Sequence, residues 1–572
     1  MKKVMQGAWC LMLGGLVLMA GCQAGTGESL YDVVIYGSSP AALTAAIAAQ
    51  RLGKSAVIVC PEMRIGGLTT GGLGQTDIGN KAAFGGLALR FYRDVAAYYR
   101  DEAHWTWQKR SDYLPDGQCS GTKGEDSMWT FEPSAALAIL KGWEKAEGLE
   151  IHRGKRLDRT VGKVKVKEVE GEGRGRQRRI VSFLTEDGTE YRGKMFVDAT
   201  YEGDLMAAAG CTYAVGREAN AVYGETLNGV QMAQARFHQF ERGVSPYVTP
   251  GDPTSGLLSN VEPHDPNLRD GQGDRRVQAY CFRMCLTDDP GNRIPFKKPA
   301  NYDERNYELL FRHLAAKPKN AFDGDCTWKL PWINSKMPNR KTDTNNRDGF
   351  STDFIGRNWA WPEASYAERE RILKEHLDYQ RGLMWTLANH PRIPERVRAE
   401  VSRWGTCKDE FADGLGDGWQ SQLYVREARR LVGDTVMTER NCRGQVVATR
   451  PVAMAAYTMD SHNVRRYVGA DGFVHNEGDV EVDGGKPYPI DYGAIIPKRG
   501  ECANLFVPVC LSASHIAFGS IRMEPVFFAL GQAAGTAAAQ AIAAGCAVQD
   551  LDYSPLRAQL LADGQVLEVK AR

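Results

Sequence analysis

A glycine turn near the start of the chain carries the residues best suited to binding phosphates. Residues 37–42, GSSPAA, follow the pattern G-x-G-x-x-G, with Ser39 and Ala42 in place of the second and third glycines. Gly37 permits the tight turn, Ser39 is small enough for a pyrophosphate to approach, and Ala42 still permits close packing of a helix on a strand. The free N–H groups and positive dipole end of a helix that begins here would bind phosphate oxygens. The turn therefore predicts a dinucleotide site.

An acidic residue that binds the ribose is expected about 20 residues after such a turn, at the end of the second strand. Cys60 occupies that position, and a thiol cannot accept a hydrogen bond as a carboxylate does. Glu62 is the nearest substitute. The next loop, residues 64–75 (RIGGLTTGGLGQ), could be a simple cluster of turns. Its two glycine pairs, the first at Gly66 and Gly67, instead favour a backbone that passes close to a flat ligand.

The elements expected around the turn are a strand, a helix and a second strand. Residues 31–36 form a β-branched run typical of a buried parallel strand, residues 43–53 a helix of small residues, and residues 55–60 another apolar strand. Further along, the pattern predicts a helix at 130–148 and strands at 149–152, 161–169, 180–184 and 194–197. The basic stretch 171–179 is interpreted as a solvated hairpin tip.

Composition excludes several classes of protein. Of 572 residues, 43% are hydrophobic and 25% charged, as in average soluble proteins, which excludes a disordered, collagen-like or polytopic membrane protein. Lys and Arg number 71 against 70 Asp and Glu, so the charge gives no sign of nucleic acid as a partner. The chain contains neither G-x-S-x-G nor H-E-x-x-H, and no second G-x-G-x-x-G unit marks an NAD(P)H site.

No metal is expected from the sequence. The 13 cysteines show no pairs at zinc spacing, and Cys281 and Cys285, four residues apart, could form a disulfide or be two buried small side chains. Residues 343–349 (DTNNRDG) superficially resemble a calcium loop, but the glycine comes one place late and no glutamate follows at the required distance. A turn is expected there instead.

The first residues resemble an export signal. Two lysines precede an apolar stretch within residues 1–21, and residues 18–22 (LMAGC) resemble the bacterial lipobox. This resemblance implies cleavage before Cys22 and a lipid anchor, with palmitate, on its thiol. It also implies a location in the cell envelope, at the outer membrane or the periplasmic face. An uncleaved anchor and a plain secretory signal are the alternatives.

Five stretches, in order along the chain, resemble one family. They are residues 66–80 (GGLTTGGLGQTDIGN), 196–204 (FVDATYEGD), 424–433 (YVREARRLVG), 460–463 (DSHN) and 521–535 (IRMEPVFFALGQAAG). Together with Gly37 and Glu62 they resemble bacterial FAD-dependent oxidoreductases of the glutathione-reductase-like flavoprotein superfamily, whose members are often loosely labelled xanthan lyases. The likeness covers nearly all of residues 30–545.

The resemblance implies a non-covalently bound FAD, because residues 66–75 offer no histidine for covalent attachment. The helix that begins near Glu524 is similar to one that caps the flavin, where its positive end would stabilise the reduced ring; an ordinary packed helix is the alternative. The residues implied to bind the cofactor are Gly37, Ser39, Ala42, Glu62, Gly66, Gly67, Asp198, Gly203, Asp204, Arg522, Glu524, Gly531 and Gln532.

Histidine is the natural base near neutral pH. Of the ten histidines, His515 lies just before the flavin-capping stretch and is the first candidate, and His462 is the second. Either could instead be a hydrogen-bonded structural residue. Arg426 could bind a substrate carboxylate or, like its neighbours Arg429 and Arg430, lie on a helix face in solvent.

The expected fold class is α/β: an FAD/NAD(P)-binding Rossmann-like domain with a large inserted α+β substrate domain. The predicted units are the signal peptide (1–21), the first part of the FAD-binding domain (30–204), the inserted substrate or cap domain (205–489), the C-terminal part of the FAD-binding domain (490–546) and a tail (547–572). Seven of the 12 tryptophans lie between residues 328 and 419, where they could form core or stack on sugar rings.

We therefore expect an FAD-dependent oxidoreductase that takes hydride from a small polar substrate, with carbohydrates as candidates, outside the cytoplasm. It would pass the electrons to an acceptor that the sequence does not identify. Two alternatives remain at this stage, a polysaccharide lyase and a non-catalytic glycan-binding surface lipoprotein on the same fold.

Overall fold

The computed structural model describes residues 30–116, 126–171, 175–318, 320–323 and 330–569. The predicted signal peptide, Cys22, Trp328 and the last three residues of the predicted tail lie outside the described residues, as do residues 172–174 of the basic stretch.

The described residues form strands in both halves of the chain. These are β1 (Leu30–Tyr36), β2 (Ala56–Cys60), β3 (Glu150–Arg153), β4 (Val164–Gly171), β5 (Gly175–Leu184), β6 (Glu190–Asp198), β7 (Tyr213–Val215), β8 (Met284–Thr287), β9 (Arg293–Ile294), β10 (Trp332–Met337), β11 (Lys341–Asn346), β12 (Gly405–Cys407), β13 (Arg429–Leu431), β14 (Pro451–Ala455), β15 (Met459–Ser461), β16 (Arg465–Val468), β17 (Val474–Glu477), β18 (Val480–Val482), β19 (Tyr488–Asp491) and β20 (Leu505–Phe506).

The helices are distributed along the same described ranges. They are α1 (Pro40–Arg51), α2 (Gly67–Thr70), α3 (Gly86–Tyr98), α4 (Pro133–Glu147), α5 (Asp204–Ala208), α6 (Asn220–Tyr223), α7 (Glu308–Ala316), α8 (Tyr366–Asn389), α9 (Glu395–Val401), α10 (Glu439–Cys442), α11 (His515–Ile521), α12 (Glu524–Ala544) and α13 (Tyr553–Ala562).

A parallel sheet organises the first part of the chain. Its strands run in the order β3-β2-β1-β6, and β20 joins β6 in parallel near the carboxyl end of that strand. The hairpin β4–β5 continues the sheet in antiparallel fashion. The β-branched residues of β1 and β2 are buried, as parallel strands covered on both faces require. The predicted α/β, Rossmann-like fold class is confirmed.

Helix α12 is the central helix of the core. Its glycines Gly531 and Gly535 face α1, where an added Cβ would lie 2.4 Å from the Ala41 carbonyl oxygen and 2.1 Å from that of Ala45. Among the described residues it is the one helix long and apolar enough to cross a membrane, but 83% of that apolar window is buried inside the protein. Close packing of small residues on α1 accounts for its composition.

The inserted region is built from antiparallel strands. A five-stranded sheet has the order β10-β11-β8-β12-β9, and four two-stranded pairs are β13-β7, β14-β19, β15-β18 and β16-β17. Three of the tryptophans predicted to cluster, Trp332, Trp361 and Trp419, are buried. The other three described tryptophans of this region, Trp359, Trp385 and Trp404, are half-buried.

Several sequence-based expectations are corrected. The arginines at 426, 429 and 430 are not on a solvated helix face: residues 429–431 form buried strand β13, and all three side chains are buried. Asp343 lies in strand β11 and not in a turn. Strand β5 begins five residues earlier than predicted, inside the basic stretch, because β4 and β5 stay paired out to their tip. The charged residues and glycines in β5, β11 and β13 are more typical of turns and exposed surfaces, so the sequence did not predict these strands.

Cys281 and Cys285 do not face each other. Cys285 Sγ lies 3.8 Å from Cys407 Sγ, and Cys281 Sγ lies 3.3 Å from a guanidinium nitrogen of Arg426. All nine cysteines among the described residues are free thiols, and eight of them are buried.

Candidate active site

The turn after β1 is fixed against the end of β6. Gly37 has a φ of +134°, and an added Cβ would lie 2.5 Å from the carbonyl carbon and oxygen of Ala199, so the close approach requires glycine. Ser39 Oγ donates a hydrogen bond to the same Ala199 oxygen at 2.6 Å. Ser39 also precedes α1, in which Ala42 is buried. The turn is thus held in place by the protein before any phosphate binds.

Glu62 and the first glycine pair line the adjacent strand end. Gly66 N donates to Ser38 O at 2.7 Å, which ties the two loops together. Both glycines have positive φ, and a Cβ on Gly67 would lie 2.3 Å from the Tyr201 hydroxyl. Glu62 is accessible to solvent at the end of β2. Desolvation by the surrounding protein and the charge of nearby Glu202 raise its pKa to about 7.

Asp198 builds the connection that follows β6. Its carboxylate accepts hydrogen bonds from Thr200 N at 3.1 Å, from the Thr200 hydroxyl at 2.6 Å and from Met206 N at 2.8 Å. Gly203, with a φ of +68°, precedes helix α5. Burial raises the pKa of Asp198 to about 6, although these hydrogen bonds oppose the rise. Both residues therefore shape the loop, and a cofactor contact remains a prediction.

Asp204 joins three arginines, of which Arg369 and Arg429 are buried. Its oxygens lie 2.6 Å from Arg369, 2.7 Å from Arg429 and 3.1 Å from Arg159. Burial alone would raise the pKa of Asp204, but the three guanidinium groups hold it well below its usual range. Asp204 thus connects the region after β6 to helix α8 and strand β13.

The C-terminal residues assigned to FAD divide into two groups. Gly531 packs on α1, and Gln532 Oε1 accepts a hydrogen bond from Leu87 N at 2.8 Å. These contacts account for both residues without a cofactor. Glu524, by contrast, lies next to the glycine loop: its carboxylate accepts from the Thr69 hydroxyl at 2.8 Å and from the Tyr201 hydroxyl at 2.9 Å. Burial raises its pKa to about 7.

A group of buried charges, here called the charged cluster, lies where the glycine loop meets the inserted region. Arg522 bonds the Tyr424 hydroxyl at 2.8 Å and Asp460 at 2.9 Å. Arg283 pairs with Asp343 through two hydrogen bonds of 2.7 and 2.8 Å. The full cluster consists of Asp77, Arg283, Asp343, Asp353, Tyr424, Arg426, Asp460, His462 and Arg522.

His462 is held by a carboxylate within this cluster. Its Nδ1 lies 2.8 Å from Asp353 Oδ2, while Arg426 lies 3.0 Å from Asp353 Oδ1. Burial alone would raise the pKa of Asp353, but Arg426 and His462 hold it well below its usual range. Burial and the charge of Arg426 lower the pKa of His462 to about 4. A neutral imidazole bonded to an ionised carboxylate carries its proton on Nδ1 and leaves Nε2 as an acceptor.

His515 has no ring nitrogen available to a substrate. Its Nδ1 lies 2.7 Å from Glu427 and its Nε2 lies 3.1 Å from the Ser461 hydroxyl, and the residue is 1% exposed. Burial alone would raise the pKa of Glu427, but His515 and Arg430 lower it to about 2. The geometry therefore favours His462, the second candidate of the sequence, and gives His515 a role in holding β15.

Sequence reasoning missed Asp353, Asp77 and Arg283. Asp353 stands in an irregular stretch with no motif around it, so its partner His462 could not be paired with it. Arg426 was expected to bind a substrate carboxylate; the carboxylate that it binds is that of Asp353.

Comparison with known proteins decides the family. A family model described as FAD dependent oxidoreductase matches residues 32–560. The chain belongs to this family. It is therefore an FAD-dependent oxidoreductase, and FAD is its cofactor, with no indication of covalent attachment. No curated protein matches the chain.

Solved structures give partial likenesses. A flavin-containing monooxygenase from Stenotrophomonas maltophilia is 19% identical, with 36% of this chain and 45% of that chain covered and a TM-score of 0.18. Anhydrotetracycline hydroxylase OxyS from Streptomyces rimosus is 14% identical, with 34% and 36% covered and a TM-score of 0.22. Bacillithiol disulfide reductase from Bacillus cereus is 16% identical, with 30% and 40% covered and a TM-score of 0.17. The oxidoreductase spans less than half of each.

The residues present fit an FAD molecule in this oxidoreductase. Gly37 and Glu62 follow the carboxyl ends of two adjacent parallel strands, β1 and β2. Dinucleotides bind in the crevice at such strand ends. At the other end of the glycine loop, Gln75 Oε1, Thr76 Oγ1 and Arg522 Nε are buried with no hydrogen-bond partner among the described residues. Buried polar atoms require partners. The carbonyl and N–H edge of a flavin ring would supply them.

Replacement of Glu524 by glutamine tests the raised pKa. Because the folded-state pKa of about 7 lies above the unfolded value of 4.5, the stability from this carboxyl is complete below pH 4.5 and is lost as pH rises through 7. Glutamine stays neutral and still accepts one hydrogen bond. We expect the free energy of unfolding of Glu524→Gln minus that of the native protein to rise by about 3 kcal/mol as pH increases from 4.5 to 8, because only the native protein loses stability over this range.

The measurement is urea denaturation of the FAD-loaded protein at several pH values. Glu395→Gln, which removes an exposed carboxylate from the first turn of α9, is the control. A constant difference between Glu524→Gln and the native protein across this pH range would contradict the prediction.

Proposed function

We propose that this oxidoreductase removes a hydride and a proton from a small polar substrate, an alcohol such as a sugar hydroxyl, bound at the charged cluster. The observation that carries the proposal is the Asp353–His462 pair, whose free Nε2 lies where the glycine loop meets the inserted region. An alcohol carbon bonded to hydrogen loses hydride to the oxidant, its hydroxyl loses a proton, and a carbonyl forms.

A cavity lies beside the charged cluster. It has a volume of about 730 Å³, and its wall includes Glu481, His238, Lys317 and Arg347. Glu481 stands opposite Asp460 in the β15–β18 pair, and Asp460 Oδ2 lies 3.8 Å from His462 Nε2. Charged and polar walls favour a hydroxylated or charged small molecule over an apolar one.

FAD, when bound, supplies the hydride acceptor. The protein supplies the proton chemistry: His462 Nε2 takes the hydroxyl proton, and Asp353 keeps Nδ1–H in place and stabilises the imidazolium that forms. Arg426 keeps Asp353 ionised. Arg522, bonded to Tyr424 and Asp460, fixes the other wall of the cluster.

A polysaccharide lyase has less support from this geometry. A lyase carries out no redox step and would have no use for the FAD of this family. Arg426 and Arg522, which could otherwise bind a substrate carboxylate, already pair with Asp353 and Asp460. A glycan-binding lipoprotein that stacks sugars on tryptophans also has less support, because three of the six described tryptophans between residues 332 and 419 are buried in the core.

The proposed place of action is the cell envelope, with Cys22 as the lipidated residue. Residues 1–22, which support this part of the proposal, lie outside the described residues. Mass analysis of membrane-extracted protein tests it: we expect a mature chain that begins at Cys22 and carries acyl groups, whereas an unmodified amino terminus would contradict it.

Anaerobic mixing of the FAD-loaded protein with a panel of sugars, amino sugars, hydroxy acids and amines tests the reaction. We expect at least one hydroxylated compound to bleach the visible flavin band, with appearance of the matching carbonyl product. If dithionite bleaches the flavin and no member of the panel does, the proposed substrate class is wrong.

A further inference from the structure

Three possible metal ligands meet on the wall of the same cavity. A ring nitrogen of His238, a carboxylate oxygen of Asp479 and one of Glu481 all lie within 4.8 Å of one another. His238 and Glu481 line the cavity, and 44% of the Glu481 side chain is exposed there. Asp479, at 3% exposure, forms the buried floor of the group.

Asp479 has a hydrogen bond with the backbone of Phe237, which satisfies only part of a buried carboxylate. Its Oδ2 is buried with no hydrogen-bond partner among the described residues. In the described part of the chain, neither Asp479 nor Glu481 forms an ion pair with a lysine or arginine, and the charges that act most strongly on Asp479 are those of the carboxylates Glu481, Asp460 and Asp353. Ionisation of a carboxyl group buried in this way is costly, and a cation at this position would remove the cost.

The histidine of the group is held in an unusual conformation. His238 has a φ of +53°, in the left-handed region that non-glycine residues seldom adopt. Asn476 Nδ2 donates to the His238 carbonyl oxygen at 2.8 Å, and the side chain of Gln239 bonds the backbone of the same residue, Asn476. A strained backbone conformation of this kind is stable only where the surrounding structure imposes it, and it is common at ligand-binding sites. His238 Nδ1 also has no partner among the described residues.

We propose that His238, Asp479 and Glu481 bind one divalent cation, Zn²⁺ or Mn²⁺, with further coordination positions open to the cavity. One imidazole and two carboxylates suit these ions, since imidazole favours zinc and carboxylate favours manganese. Three protein ligands with an open position are the arrangement of catalytic metal sites, whereas structural sites are closed.

The place of the site defines its use. Glu481 pairs across the sheet with Asp460, which borders His462. A cation here would bind two neighbouring oxygens of a substrate and hold the substrate beside His462. This role in substrate binding rests on the proposed function, whereas the binding of the ion itself does not. The sequence predicted no metal, because His238 is far along the chain from Asp479 and Glu481 and only the fold brings them together.

Calorimetric titration of the chelator-treated, FAD-loaded protein with Zn²⁺ and with Mn²⁺, each added alone and without substrate, tests the site. We expect one ion per chain. Asp479→Asn should weaken binding at least about tenfold, and Glu481→Gln, an exposed position that leaves the core intact, should do so as well. Glu241→Gln, which alters another carboxylate on the same cavity wall, is the matched control and should bind as the native protein does.

Retention of the flavin spectrum by each variant shows that it is folded. Absence of stoichiometric binding of either ion, or equal binding by the native protein and both ligand variants, would overturn the site. This readout is independent of the reaction: absence of metal binding by the native protein, with intact bleaching of its flavin by a substrate, refutes the metal site alone, and metal binding without bleaching by any substrate refutes the proposed function alone.

Discussion

Replacement of His462 by glutamine is expected to slow reduction of the flavin by substrate by about 10²–10⁴-fold, the usual contribution of a positioned base. The cofactor should remain bound, because His462 contacts Asp353 and Asp460 and lies apart from the Gly37 turn and Glu62. Glutamine can still donate to Asp353, so the partner carboxylate keeps a hydrogen bond and the fold should be preserved. The loss should therefore appear in the rate of the chemical step.

Single-turnover stopped-flow absorbance under anaerobic conditions measures that rate. In the native protein it should fall as pH drops through about 4, where His462 takes up a proton, and the variant should lack this dependence. His475→Gln is the matched control: it removes an exposed histidine that also pairs with an aspartate, Asp471, on β17. An unchanged rate in the His462 variant, with FAD bound, would show that another group is the base.

The second large effect is expected from Gly37→Ala. The new Cβ would lie 2.5 Å from the backbone of Ala199, and neither strand can retreat because β1 and β6 are paired along their length. Left-handed backbone strain and overpacking each cost about 1–3 kcal/mol, so the loss of folding free energy should be about 3–5 kcal/mol. Since the same turn is the predicted phosphate site, FAD affinity should fall at least about 100-fold, a change of about 3 kcal/mol.

Gly53→Ala separates the effect of backbone strain from the effect of overpacking against Ala199. Gly53 also has a positive φ, +73°, but no atom lies within 4 Å of its added Cβ. This variant should lose about 1 kcal/mol of stability and bind FAD as the native protein does. Fluorescence titration with FAD and urea denaturation give the two quantities. Equal losses in the Gly37 and Gly53 variants would mean that backbone strain alone matters and that the contact with Ala199 does not.

The first strand, turn and helix could be predicted from the sequence because their signals are local. A β-branched run, a glycine and a series of small residues determine β1, the turn at Gly37 and α1 within about 20 positions. Glu62 was located by counting along the same unit. The solvent exposure predicted for the arginines at 426–430 was wrong because the sequence shows a charge without its distant partner. Their burial depends on ion pairs with Asp204, Glu218 and Asp353.

The choice between the two histidines shows most clearly what the tertiary structure decided. The sequence by itself determined the fold class, the family motifs and the two candidate histidines. Only the packed chain gives His515 two internal partners, leaves Nε2 of His462 open beside Asp460, and brings His238 to Asp479 and Glu481. The pKa of a side chain depends on charges and burial contributed by segments more than 80 residues away, as for Glu427, whose pKa is lowered by His515 and Arg430 against the effect of burial. Such contacts leave no local pattern in the sequence.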